Sequence, residues 1–232
     1  MLIELHPQAR VQKLHVGRER TPLLLIDQLV ADPDRLVRKA ARGVFTPVGA
    51  MFPGIRMRAP LSYEAFLERL VQPLVEDFFG LRPGRFSFPM CHYSLVTKPP
   101  EQLVFLQRVP HIDSVTPQGL ASVHYLFRGP WGGTAFYRHR ATGYETVTPD
   151  RYERYFTTLE VESRGPDAPG PGYIGEDTPM FERIDQVEGV FNRLVMYPRN
   201  CLHSGVIDNQ RVPPPDPLNG RLSINTFIDI TP

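Results

Sequence analysis

A histidine and an aspartate two residues apart, His111 and Asp113, are the side chains of this sequence best suited to chemistry. In an extended strand, residues i and i+2 point to the same face, so this imidazole and this carboxylate would lie side by side. A distant histidine, His203, lies just ahead of the last predicted strand and could arrive beside them as a third ligand. Two neutral imidazoles and one carboxylate on one face of a metal suit Fe(II) and leave positions open for a bidentate ligand and O2.

The segment 220–228 adds a second chemical feature. Its strict alternation places Arg221, Ser223 and Asn225 on one face of a strand and apolar or small residues on the other. An arginine that points into a barrel needs an anion, because an unpaired buried charge is very costly. A guanidinium binds a carboxylate through two parallel hydrogen bonds, and Ser223 can add a hydroxyl donor. We therefore expect a dicarboxylate to bind at Arg221.

Short strands must position these residues. Proline and glycine number 25 and 18, which is typical of a chain with many turns and few long helices. Residues 2–27 predict two or three strands, and from Phe86 onward short strand-like runs are separated by turns. These later runs are 86–97, 103–109, 111–113, 120–127, 134–138, 190–197, 202–207 and 221–229.

Two helices are predicted ahead of these strands. The first spans 32–42, with Asp32 as its N-cap, and the second spans about 62–79, with a kink at Pro73. Their apolar stripes indicate that they pack against the outside of a sheet. Residues 150–188 are predicted to form a helical or irregular insertion with a mobile Pro/Gly-rich loop at 165–175, which we expect to act as a lid that selects the substrate.

Charge and composition exclude several classes of protein. The formal net charge is +1 and the arginines are scattered, so nothing indicates a nucleic-acid partner. Cys91 and Cys201 are too few for a disulfide framework and are expected to be buried thiols, although the sequence does not decide whether they pair. No signal peptide or membrane span is indicated, so we expect a soluble, cytoplasmic protein whose oligomeric state is open.

In chain order, His111-x-Asp113, His203 and Arg221-x-Ser223 resemble the Fe(II)/2-oxoglutarate-dependent dioxygenases, specifically their prolyl-hydroxylase-like branch. The apolar run 121–127, followed by a Gly132-Gly133 turn, is similar to a strand and turn of that family. The run 191–197 is similar to the strand that precedes the family's second histidine. The resemblance covers roughly residues 86–230.

The resemblance implies a mainly β protein with flanking helices and a double-stranded β-helix core, also called a jelly roll or cupin-like core. We expect a single domain over 1–232. Residues 1–85 would supply N-terminal strands and supporting helices, and residues 86–232 would form the catalytic core with the insertion 150–188.

The resemblance also implies cofactors and residue roles. His111, Asp113 and His203 would hold Fe(II), while Arg221 and Ser223 would bind the far carboxylate of 2-oxoglutarate. Tyr125 falls where this branch often places a tyrosine that shares that carboxylate, and Tyr93 is a second candidate for the wall of the site. The expected reaction uses O2, releases succinate and CO2, and hydroxylates an amino acid, a peptide-linked residue or another small metabolite.

Two other classes of function stay open at this point. One is a non-catalytic jelly-roll module that binds a metal or another ligand without redox chemistry. The other is a cupin-like metalloenzyme without redox chemistry, although such sites usually draw on more histidines, closely spaced on one strand. Only the oxygenase needs Arg221 to hold a dicarboxylate.

Overall fold

A computed structural model describes residues 2–49 and 51–231. Within these ranges the strands are β1 (Arg10–Val16), β2 (Thr21–Asp27), β3 (Thr46–Pro47), β4 (Gly54–Arg58), β5 (Arg85–Val96), β6 (Gly119–Tyr125), β7 (Thr134–His139), β8 (Phe181–Val187), β9 (Arg193–Pro198), β10 (His203–Gly205) and β11 (Leu222–Thr231). The helices are α1 (Pro33–Ala41), α2 (Leu61–Val71), α3 (Phe105–Arg108) and α4 (Tyr152–Glu162). Two single 3₁₀ turns also form, Gln72–Leu74 after α2 and Pro100–Gln102 after β5.

Two antiparallel sheets face each other. The large sheet has the order β1-β2-β9-β6-β11-β5-β4-β3, and the small sheet has the order β10-β7-β8. Apolar side chains from both sheets meet between them, as where the ring of Phe136 on β7 lies 5.1 Å from that of Tyr197 on β9. This is the predicted mainly β, double-stranded β-helix core.

The first 85 residues extend the large sheet and cover its outer face. The β1-β2 hairpin pairs with β9, and the β3-β4 hairpin pairs with β5. Leu36 of α1 and Leu67 of α2 pack with Leu194 and Ile224 of the large sheet in one apolar cluster. The predicted N-terminal strands and the position of the helices outside the sheet are therefore confirmed.

The two predicted helices form, but the second ends early. Helix α1 begins as expected, with the Asp32 carboxylate accepting a hydrogen bond from the backbone N–H of Arg35. Helix α2 ends at Val71 and gives way to a 3₁₀ turn, because Pro73 has no N–H to continue the helical hydrogen bonds. The predicted kinked helix to residue 79 is wrong. No helix in the described ranges is long and apolar enough to cross a membrane.

Three other sequence predictions are corrected. Residues 103–109 contain the short helix α3 rather than a strand, and residues 111–113 make only an isolated β-bridge at His111. Residues 181–187, expected to be helical or irregular, form β8 at the edge of the small sheet. Only the two ends of β8 are buried, so charged side chains between them hide the strand pattern from the sequence.

A buried polar network ties the helices to the large sheet. The Nδ1 atom of His124 on β6 lies 3.0 Å from the hydroxyl of Tyr63 on α2, and its Nε2 atom lies 3.1 Å from the amide oxygen of Asn192. Asn192 in turn exchanges hydrogen bonds with the backbone of Val30. Burial lowers the pKa of His124 from 6.5 to about 4, so the ring is neutral in the folded protein at pH 7.

We expect His124 to make folding stability depend on pH. Its folded pKa lies below its unfolded value, so its contribution is complete above pH 6.5 and is lost as the pH falls toward 4. This loss is about 2 kcal/mol between pH 7 and pH 5. Urea unfolding of the wild type and of His124→Gln at both pH values checks this, and equal pH dependence in the two proteins would contradict it.

Candidate metal centre

The main chain brings the two predicted histidine ligands together. The backbone N–H of His111 donates to the carbonyl of His203 at 2.9 Å, and that of His203 donates to the carbonyl of His111 at 3.0 Å. His203 begins β10, which pairs with β7, so the bridge adds His111 to the edge of the small sheet. The two imidazole centroids lie 4.4 Å apart.

Asp113 joins the pair through its own backbone. Its N–H donates to the carbonyl of Arg199 at 2.8 Å. One carboxylate oxygen then lies 3.8 Å from Nε2 of His111 and the other 3.6 Å from Nε2 of His203. These distances are too long for hydrogen bonds. The three residues form the one group of metal-ligating type found in the described ranges, with all ligand atoms within 4.8 Å of one another.

The protonation state of the histidines suits a metal. Nδ1 of His203 donates to the carbonyl of Cys201 at 3.1 Å, which leaves the lone pair of Nε2 on the side of Asp113. Burial lowers the pKa of His203 to about 4. The pKa of His111 is lowered by removal from water and by the adjacent imidazole of His203, although half of its side chain is exposed. Both rings are therefore neutral at pH 7, as metal binding requires.

The carboxyl group of Asp113 has a raised pKa. Burial raises the pKa by more than the neighbouring His111, Arg199 and Arg56 lower it. A divalent ion would add a third positive charge and favour the carboxylate form.

Arg221 is a buried cation whose partners are neutral. Its Nε donates to the carbonyl of Trp131 and its Nη2 to the carbonyl of Gly133, both at 2.8 Å. Among the described residues no carboxylate forms an ion pair with it, and burial lowers its pKa. Arg221 is buried, as the sequence predicts, and its role as the anchor of an external anion stays a prediction.

The Gly132-Gly133 turn places those carbonyls. Gly132 has a φ of +70°, and a Cβ atom there would lie 1.9 Å from the carbonyl oxygen of Val206. A Cβ atom on Gly133 would lie 1.8 Å from the carbonyl oxygen of Val187. Only glycine fits at either position, so the predicted turn also serves to hold Arg221.

Tyr125 and Ser223 lie on the same inner face as Arg221. They are directly opposite each other in the pairing of β6 with β11. The hydroxyl of Tyr125 lies 2.7 Å from that of Thr134, and its ring centroid lies 5.9 Å from the guanidinium carbon of Arg221. Ser223 donates to the amide oxygen of Asn225 at 2.7 Å. The structure thus brings these residues together, and their role toward a carboxylate stays a prediction.

Tyr93 is not brought to this site. It is opposite Ile224 in the sheet and packs in the apolar cluster under helix α2, on the outer face. Because side chains alternate along a strand, Ser94 takes the inward position and is opposite Ser223. The prediction that Tyr93 forms a wall of the site is therefore wrong, and the neighbouring Ser94 faces the site instead.

The sequence reasoning missed Arg56. It lies on β4 opposite Ser94, and its Nε donates to the Ser94 hydroxyl at 3.2 Å. Its guanidinium carbon lies 3.9 Å from the ring centroid of Phe52. The alternation Ile55-Arg56-Met57-Arg58 was the available signal, but β4 is short and follows a loop, so no strand was predicted there.

The sequence matches one known protein family. The sequence profile of a family described as "Family of unknown function (DUF6445)" matches residues 7–228. The chain belongs to the DUF6445 family. A search of curated proteins finds no match.

The chain is similar to two solved structures. HygX from Streptomyces hygroscopicus, determined with nickel and 2-oxoglutarate bound, has a TM-score of 0.51 and 13% sequence identity over 93% of this chain and 88% of its own. The non-heme alpha ketoglutarate dependent epimerase SnoN from nogalamycin biosynthesis has a TM-score of 0.48 and 12% identity over 90% and 78%. At this identity the similarity to HygX establishes the fold alone.

We expect single substitutions in the triad to abolish tight metal binding. His203→Ala and Asp113→Ala each remove one of three ligands, and a loss of at least about 100-fold in affinity should follow. Titration with Co(II), followed by its visible absorption and by calorimetry, measures this. His15→Ala, which removes an exposed histidine on β1, is the matched control. Unchanged affinity in either triad variant would exclude that residue as a ligand.

Proposed function

We propose that this protein is an Fe(II)/2-oxoglutarate-dependent oxygenase that hydroxylates an amino acid, a peptide-linked residue or another small metabolite. The observation that carries the proposal is the buried guanidinium of Arg221, which has no carboxylate partner among the described residues. Arg221 and His203 both border the apolar cluster between the two sheets, through the rings of Tyr125 and Tyr197, and we call this space the chamber. A metal alone explains the triad but does not explain this cation.

The position of Arg221 relative to the metal ligands supports a dicarboxylate. A Cβ atom built on Gly205 would lie 3.8 Å from Nη2 of Arg221, and Gly205 is two residues beyond His203 on β10. Two residues of strand span roughly 7 Å. A five-carbon keto acid is long enough to contact a metal held at His203 and to reach the guanidinium. The binding of nickel and 2-oxoglutarate by HygX, which has the same fold, agrees with this assignment.

Each residue of the site has its own proposed role. Fe(II) with 2-oxoglutarate and O2 supplies the oxidising chemistry, with release of succinate and CO2. His111, Asp113 and His203 would hold the ion through two neutral imidazoles and one carboxylate. Arg221 binds and orients the far carboxylate, and the hydroxyls of Ser223 and Tyr125 are close enough on the inner face to contribute. The half-exposed His111 marks the open side, where a substrate can approach.

The finer assignments are part of the same proposal. Hydroxylation is favoured over halogenation because Asp113 keeps the carboxylate that a halogenating site replaces by a small residue. The prolyl-hydroxylase-like branch, a small-molecule or peptide substrate and a cytoplasmic location stay predictions.

Anaerobic titration of the Fe(II)-loaded protein with 2-oxoglutarate tests the proposed function. We expect a visible charge-transfer band from chelation of the keto acid in the wild type and no band in His203→Ala. Iron binding without a band would favour a non-catalytic jelly-roll module or a metalloenzyme without redox chemistry. No iron binding at all would indicate a fold that has lost its metal.

Replacement of Arg221 should weaken 2-oxoglutarate binding while leaving iron in place. Loss of a charge-assisted pair corresponds to about 10–100-fold in affinity for Arg221→Gln, with a smaller loss for Arg221→Lys. The midpoint of the same band measures the affinity, and the thermal midpoint of each variant shows that it is folded. Arg58→Gln, which removes an equal charge from β4, serves as the control. An unchanged midpoint in Arg221→Gln would exclude Arg221 as the anchor.

A further inference from the structure

Arg56 is a second cation on the inner face, and the proposed cosubstrate does not account for it. Four residues lie directly opposite one another on neighbouring strands and form a polar row, namely Arg56 on β4, Ser94 on β5, Ser223 on β11 and Tyr125 on β6. Tyr125 is at the end of this row near Arg221, and Arg56 is at the other end. The sheet thus separates two cationic positions across the floor of the chamber.

The surroundings of Arg56 hold its side chain but leave its charge unpaired. Ser94 accepts from Nε at 3.2 Å, and the guanidinium stacks over the ring of Phe52 at 3.9 Å. The terminal nitrogens make no hydrogen bond or ion pair with the residues in the described ranges. This arrangement fixes the planar fork and leaves its two outer donors available for an anion.

The charges around Arg56 also leave room for an anion. Burial lowers the pKa of Arg56 to about 10, and the negative charge of Asp113 partly offsets this. A metal ion bound by Asp113 would take up that negative charge. Nδ1 of His92, on the same face of β5 as Ser94, is shielded from water and has no partner among the described residues. The terminal nitrogens of Arg56 and Nδ1 of His92 are therefore, within the described ranges, unpaired polar atoms on the same face of the sheet.

We propose that Arg56, oriented by Ser94 and Phe52, binds an anionic group of the primary substrate, either a carboxylate or a phosphate monoester. The inference rests on the proposed function, because it assigns the substrate of that same site. It makes the substrate a small organic acid whose reacting carbon lies between the anion at Arg56 and the metal at Asp113. Arg56 is then a specificity-determining residue.

Ligand-observed NMR tests this with the Zn(II)-loaded protein in saturating 2-oxoglutarate, so that Arg221 is occupied. The probes are benzoate, 3-phenylpropionate, N-acetylphenylalanine and N-acetylleucine, each with its carboxamide, and phenyl phosphate with phenol. We expect acids to bind the wild type at least about 10-fold more tightly than their neutral partners. The carboxylate and phosphate arms show which anion is preferred.

Arg56→Gln should remove this preference, Arg56→Lys should keep part of it, and Arg58→Gln should change it less than about 2-fold. Arg58 is two residues away on β4 and is paired with Glu64. Arg58→Gln therefore removes the same charge from the same strand and serves as the matched control. Equal binding of acids and neutral partners by the wild type, or an unchanged preference in Arg56→Gln, would overturn the inference.

A separate measurement distinguishes failure of this inference from failure of the proposed function. The charge-transfer titration of Arg56→Gln should match that of the wild type. If Arg56→Gln alone loses the band or its iron, Arg56 belongs to the cosubstrate or metal site and the substrate assignment is wrong. If the wild type gives no band, the proposed function fails, and with it the inference that depends on it.

Discussion

The candidate metal centre depends on the two main-chain hydrogen bonds, one in each direction, between His111 and His203. These residues are far apart in the sequence, and each lies where little regular strand supports it, since β10 has three residues and the segment at His111 is only a bridge. The pairing of β10 with β7 fixes one side, and the hydrogen bond from Asp113 to the carbonyl of Arg199 fixes the other. Backbone contacts therefore hold all three residues, and their ligand-type atoms lie within 4.8 Å of one another.

The same principle holds for Arg221. Its guanidinium is held by the carbonyls of Trp131 and Gly133 rather than by a carboxylate, and the Gly132-Gly133 turn lets these carbonyls approach. A buried cation with only neutral partners lowers stability, because its desolvation is not offset by an opposite charge. An incoming carboxylate would offset that penalty. Stability given up in the ligand-free protein is thus available as binding energy at this site.

Arg56 and Arg221 together describe how the chamber is organised. Both are held by uncharged groups. Arg56 lies on β4 and Arg221 directly precedes β11, and β5 lies between these two strands. Their separation is a property of the sheet register, with Ser94 and Ser223 between them in the polar row. The antiparallel sheet therefore keeps these two cations apart, while His203 and His111 lie on the small sheet and Asp113 is tied to Arg199 beside β9.

The local sequence pattern was enough to predict the strands with alternating apolar residues, helix α1 with its Asp32 cap, and the inward face of β11. It failed where tertiary packing decides the outcome. Strand β8 is an edge strand with charged side chains. Helix α2 is a different case, because a local feature, the missing N–H of Pro73, ends it at Val71 where a kink was predicted. Tyr93 and Ser94 differ by one residue, and the strand run alone does not say which one faces inward.

By itself, the sequence predicted metal-ligating side chains at His111, Asp113 and His203 and an inward arginine at 221, because these follow from residue chemistry and period-two alternation. The jelly-roll class followed from the resemblance to a known family. The tertiary structure alone decided that the ligands meet within 4.8 Å, that Arg221 has no carboxylate partner in the described ranges, and that Arg56 shares its face. These facts depend on register between strands distant in the chain, and register is set by the packing of both sheets at once.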